Sequence, residues 1–153
     1  MGFPNSYFYE NYDYPTLFYF GETKTPGKAN APKSGNELRE QVINLANSLG
    51  LEAKREVKAA RRLWGAARSI DVVVTDKNSG KRLGIECKHQ STSGSAEEKI
   101  FATVQDIAFW PIPGIVVISG EGFSDNIKGY LMSTGKVIWY TELEDWLRLY
   151  FGL

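Results

Sequence analysis

The stretch SIDVVVTDKNSGKRLGIECKHQ, residues 69–90, decides the fold. Its first seven residues are rich in β-branched side chains and read as a strand. DKNSG, residues 76–80, has the composition of a turn. RLGIECKHQ, residues 82–90, reads as a second strand, so the pair forms a hairpin. Glu86, Lys88 and Gln90 are spaced by two and share one face of that strand. Ile85, Cys87 and His89 take the opposite face, with the core. The hairpin brings Asp71 and Glu86 near one another on paired strands. Two such carboxylates can hold a hard divalent cation through oxygen. Lys88, one alternate position on, reaches the same phosphate or water. The polar face also fits the solvent side of an edge strand, which alternation alone favours.

Upstream, Ser34 and Glu37 make a capping box, in which each satisfies an orphan donor of a first helical turn. Leu38, Val42, Leu45, Ala46 and Leu49 then repeat at helical spacing, and Gly50 stops the helix. Residues 51–58 read as a short strand and residues 59–67 as a basic loop around Trp64. Downstream, Ser95 and Glu98 repeat the capping box before a helix that runs to about Trp110, where Pro111 and Pro113 end it. GIVVIS, residues 114–119, is almost wholly apolar and reads as a buried strand parallel to a neighbour. A short helix over 124–132 and a strand over 136–140 follow. Thr141 and Glu144 form a third capping box ahead of a last helix carrying Leu143, Trp146, Leu147 and Tyr150. The order is helix, strand, hairpin, helix, strand, short helix, strand, helix. That order implies an α/β layer fold with a mixed sheet.

The chain has 153 residues, 42% apolar and 24% charged, as one soluble domain with its own core requires. No run approaches the length of a membrane span, and the N-terminus lacks the pattern of a secretory leader. A single cysteine excludes an internal disulfide, and a single histidine excludes multi-histidine metal sites. A cytoplasmic location is expected. Net charge is zero, but residues 51–90 hold ten Lys and Arg against five Asp and Glu, whereas residues 91–153 hold four against eight. The central segment is therefore a candidate polyanion-facing surface, although charge runs are commonly just solvated. Arg61, Arg62 and Arg68 are the first candidates for phosphate contact, with Lys54 and Lys58 next. Ser91 and Ser93 lie in a polar loop able to donate to phosphate. Residues 1–33 form an aromatic-rich arm and linker, and residues 34–153 the domain proper.

Asp71 on one strand, a turn, and Glu86-Cys87-Lys88 on the next resemble the PD-(D/E)xK nuclease superfamily. The resemblance extends to element order over residues 34–120: a helix with Glu37, the Asp strand, the ExK strand, a capped helix and a buried strand. Gln90 resembles a glutamine found after the lysine in several branches. Ile70 departs from the pattern, standing where proline commonly precedes the aspartate. The resemblance implies a restriction endonuclease-like three-layer core, with a central mixed sheet flanked by helices. It implies a Mg²⁺-dependent enzyme, with Mn²⁺ as a substitute, hydrolysing phosphodiester bonds in double-stranded DNA in a sequence-specific manner. Asp71, Glu86 and the backbone carbonyl of Cys87 would be metal ligands, and Lys88 would handle the attacking water. Glu37 would complete the outer shell, or else serve only as a helix cap. A homodimer or homotetramer is implied, since one site cuts one strand. Restriction, homing and Holliday junction-resolving roles fit this pattern, as does a non-catalytic DNA-binding protein on the same fold.

Overall fold

The computed structural model describes residues 31–61, 67–91 and 96–153. Five strands form one sheet in the order β1-β2-β3-β4-β5: β1 (Glu52–Arg61), β2 (Ala67–Thr75), β3 (Arg82–His89), β4 (Gly114–Ser119) and β5 (Val137–Trp139). β1, β2 and β3 are antiparallel neighbours, whereas β3, β4 and β5 run parallel. The sheet is therefore mixed, as expected. Helices α1 (Gly35–Ser48), α2 (Ala96–Ile107), α3 (Asp125–Ser133) and α4 (Leu143–Phe151) cover it.

Alternation along the strands divides the core in two. Val72, Val74, Leu83, Ile85, Cys87, Val117 and Ile138 pack with Leu38, Val42 and Ala46 of α1 and with Leu143, Leu147 and Phe151 of α4. Ile70, Val73, Val116, Ile118 and Val137 pack on the other face with Ile100 and Ile107 of α2 and Leu131 of α3. All six residues of β4 are buried, because helices cover both of its faces. Each fully buried Leu or Ile here contributes about 2–3 kcal/mol relative to exposure. Among the described residues, no helix is long and apolar enough to cross a membrane.

Three local expectations change. Residues 59–61 extend β1 and do not loop, because the β1–β2 ladder continues through Ala60↔Arg68 and Arg61↔Ala67. The helix expected to reach Trp110 ends at Ile107. Trp110 instead folds back, with its indole nitrogen 3.3 Å from Asp106 Oδ2. Its ring lies against the sheet where a Cβ on Gly84 or Gly114 would stand 2.7 or 2.5 Å from a ring carbon. The third capping box does not form. A 3-10 turn over Tyr140–Glu142 leads into α4 without a side-chain cap, and Glu144 pairs with Arg148 at 3.0 Å. The second box, Ser95 with Glu98, lies outside the described residues.

Candidate active site

β2 and β3 are hydrogen-bonded only from Val72↔Ile85 to Thr75↔Arg82. Beyond that point β2 pairs with β1, and β3 pairs with β4. The two strands thus splay into a V, and its vertex is where Asp71 would face Glu86. Asp71 fills the vertex with its side chain. Oδ2 accepts the Cys87 backbone N–H at 2.9 Å, standing in for the carbonyl a continuing ladder would have supplied. Oδ1 lies 3.3 Å from Arg39 Nη2 of α1.

The other side of β2 is also distorted. The β1–β2 ladder steps from Arg55↔Val72 to Val57↔Ile70, leaving Glu56 out opposite Asp71. Glu56 has a φ of 50°, a left-handed conformation costing a non-glycine residue about 1–2 kcal/mol. Its carboxylate sits 2.9 Å from Arg39 Nη1, so a single guanidinium spans Glu56 and Asp71. Ile70 and Val72, two residues apart, pack on opposite faces of the sheet. The chain therefore twists at Asp71, and this twist turns the carboxylate into the V.

Glu86 is inside the notch, with its side chain 18% exposed. Oε1 is 3.4 Å from Lys88 Nζ. Oε2 is buried and has no hydrogen-bond partner. Burial first, and then the charge of Asp71, raise the pKa of Glu86, against the lowering effect of Lys88. An orphaned carboxylate oxygen beside a second carboxylate is a place where a hard cation would restore balance. Among the described residues, no cluster of three or more His, Cys, Asp or Glu could hold a metal. The carboxylates of Asp71 and Glu86 are oxygen donors of the kind a hard divalent cation takes, and such a cation can keep waters for its remaining positions. Lys88 extends toward solvent, its side chain 36% exposed. Cys87 points its thiol into the core on the α1 side, where burial and the charges of Asp71 and Glu86 push its pKa far up. It is inert as a nucleophile.

The remaining sequence candidates are placed as follows. Glu37 is held in the helix cap: its Oε2 accepts the Lys33 N–H at 3.0 Å and its N–H donates to Ser34 Oγ at 3.1 Å. Gln90 is 6% exposed. It ties the end of β3 to the loop after β4, donating from Nε2 to the Gly122 carbonyl at 2.8 Å, while its Oε1 has no partner. Arg68 is drawn inward. It lies 2.7 Å from Asp106, with its side chain 11% exposed, and so clips β2 to α2 where a phosphate contact was expected. Lys54 and Lys58 are exposed on β1, and Ser91 is exposed after β3. Arg61 ends β1; its side chain, Arg62 and Ser93 lie outside the described residues.

Sequence reasoning missed Arg39 and Glu56. Arg39 follows Leu38 at the border of the apolar stripe of α1, and a basic residue there is the one signal that it leans over the sheet. The positive φ of Glu56 has no sequence signature.

A family model described as a PD-(D/E)XK nuclease superfamily domain matches residues 30–138. A search of the curated proteins finds no match. Among solved structures, the chain is similar to AF1548, described as a protein of unknown function, at 23% identity and a TM-score of 0.48, covering 67% of this chain and 56% of that one. It is similar to VC1899 from Vibrio cholerae at 14% identity and a TM-score of 0.45, covering 72% and 30%. It is also similar to a repair endonuclease from Pyrococcus abyssi at 15% identity and a TM-score of 0.41, covering 78% and 48%. The chain thus spans between 30% and 56% of the length of these structures.

Proposed function

Since the chain belongs to the PD-(D/E)XK nuclease superfamily, we propose that it is a metal-dependent endonuclease cutting phosphodiester bonds in double-stranded DNA, with sequence specificity. The observation that carries this reading is the splayed β2–β3 seam. It gathers Asp71, Glu86 and Lys88 and leaves Glu86 Oε2 buried without a partner. In this reading Asp71, Glu86 and the Cys87 carbonyl hold one Mg²⁺ or Mn²⁺. A bound divalent cation supplies an acidified water and neutralises charge building on the scissile phosphate. Lys88 donates to the attacking water and to a phosphate oxygen from the open side of the notch. Its partner Glu86 holds the ammonium in place through the 3.4 Å contact. Arg39 positions Asp71 and does not touch substrate. Glu37 serves the helix cap, and Gln90 fixes the end of the strand that carries Glu86 and Lys88.

The exposed Lys54 and Lys58 on β1 supply a basic surface for the DNA backbone, and Arg61 and Arg62 follow them in the sequence as further candidates for phosphate contact. Duplex cleavage asks for two sites and hence a homodimer or homotetramer. Leu149 and Leu153, 59% and 51% exposed on and just after α4, support a seam there.

A second reading has its own observation. Both oxygens of Asp71 are already engaged by donors, which suits a DNA-binding protein that keeps the fold without catalysis. The test is cleavage of a plasmid library and of four-way junctions by wild type and Lys88→Ala, in Mg²⁺, Mn²⁺ and EDTA. Metal-dependent cutting by wild type alone supports the nuclease, and the product pattern separates sequence-specific from junction-specific action. Tight metal-independent binding with no cutting favours the second reading.

A further inference from the structure

We propose that the cleft at the C-terminal ends of β3, β4 and β5 takes one unstacked nucleobase of the bound nucleic acid, preferring bases that carry an amino group over thymine. The inference builds on the nuclease reading, since the nucleic acid is the substrate of the adjacent notch. The cleft has a volume of about 520 Å³, within the usual range for small-ligand sites. It opens where three parallel strands end, the favoured ligand position in such sheets. His89, in its wall, directly follows Lys88, so the cleft lies at the end of the strand that carries the notch.

The cleft is built, and its walls suit a flat heterocycle. Gly120 takes a φ of 98°, and a Cβ there would stand 2.1 Å from the Gln90 carbonyl oxygen and 3.1 Å from His89 Cε1. Only glycine lets the ends of β3 and β4 close together at this point. The His89 ring is oriented by Ser119, with Nδ1 2.8 Å from Oγ. Trp139 is braced edge-on by Phe123 at 5.9 Å and by the Lys128 ammonium at 5.6 Å from its ring centroid. Tyr140 stands beside it in the lining. Aromatic rings in the lining stack on any base. The charged lining residues then set the preference. Lys33 offers a cation to the phosphate of the same nucleotide, while Glu121 repels phosphate and accepts from an exocyclic amine.

The test uses the full chain carrying Lys88→Ala in EDTA, so that neither metal nor cleavage enters. dCMP, dAMP, dTMP and inorganic phosphate are titrated, and NMR follows the Trp139 indole N–H and the His89 Cε1–H. We expect dCMP and dAMP to shift both signals and to bind about tenfold tighter than dTMP, the effect of one hydrogen bond to a charged group. Glu121→Gln, at an exposed position, should bring dTMP to within about twofold of dCMP without altering the rest of the spectrum. Equal shifts by inorganic phosphate, no shift by any nucleotide, or an unchanged preference in Glu121→Gln would each overturn the proposal. Loss of plasmid cleavage activity would instead overturn the nuclease reading and leave this binding result standing.

Discussion

Asp71→Asn is the usual silent replacement for a metal-binding carboxylate, yet here it should unfold more readily than wild type. Both Asp71 oxygens are engaged, Oδ2 by a hydrogen bond from the Cys87 N–H at 2.9 Å and Oδ1 by an ion pair with Arg39 at 3.3 Å. An asparagine has one acceptor and one NH₂ donor. Whichever way the amide turns, its NH₂ meets a donor. Facing Cys87 it orphans a buried backbone N–H, which costs about 1–3 kcal/mol. Facing Arg39 it removes a half-buried ion pair, although Glu56 still holds that guanidinium at 2.9 Å. The second arrangement is cheaper, and relief of the repulsion from Glu86 offsets part of it. The net loss should be about 1–2 kcal/mol, or a melting temperature lower by about 3–6 °C for a chain of this size. Glu86→Gln should behave in the opposite way. It gives up one long contact with Lys88 and removes a charge that burial and Asp71 both disfavour. Its stability should equal or exceed that of wild type at pH 7. Thermal unfolding of the three proteins in EDTA is the assay. An Asp71→Asn protein that melts with wild type, or a Glu86→Gln protein that falls as far as Asp71→Asn, would refute this account of the notch.

Three further outcomes are expected. Arg39→Met should lower stability in EDTA, and, if the notch takes the proposed cation, saturating Ca²⁺ should raise its melting temperature more than that of wild type, because a cation there would take over the charge compensation; equal shifts in both proteins would separate Arg39 from the proposed metal site. Burial and then Asp145 raise the pKa of Glu142 above the ordinary 4.5, so its stabilising contribution is present below that value and lost as pH rises through the folded one. The stability gained by Glu142→Gln should therefore be larger at pH 7 than at pH 4, and urea melts at both pH values would reveal a constant difference if the reasoning fails. Gly84→Ala places a methyl 2.7 Å from the Trp110 ring and should cost about 1–3 kcal/mol, with loss of the native near-ultraviolet signal; a wild-type melt would show that the indole can move aside freely.

The order of elements could be read from the chain because each one carries a local signal. The β-branched run of β2, the apolar run of β4 and the Ser34–Glu37 cap depend on neighbours close in sequence. Asp71, Glu86 and Lys88 emerged from spacing within a single hairpin, together with the family resemblance. What escaped depends on distant partners. Nothing near Arg68 announces Asp106, 38 positions on, which draws its charge inward. Nothing near Gln90 announces the Gly122 carbonyl. The pairing of Asp71 and Glu86 was expected on a continuous ladder. At the splay that separates their strands, Asp71 is flanked by Glu56 and Arg39, which belong to two other elements.

The way Trp110 rests on Gly84 gives the strand bearing Glu86 and Lys88 the mechanics of a cantilever. Its root, around Gly84, is clamped by β2, by β4 and by the indole. Its outer half pairs with a strand along one edge only, β4, and is held on the other edge by the Asp71 carboxylate at Cys87. Bending is then concentrated just past Ile85, so the distance between Glu86 and Asp71 can adjust to a guest while the core beneath stays fixed. Amide hydrogen exchange along β3 should record this as a gradient, slow at Ile85 and faster toward His89, with the Cys87 N–H kept slow by the carboxylate that holds it.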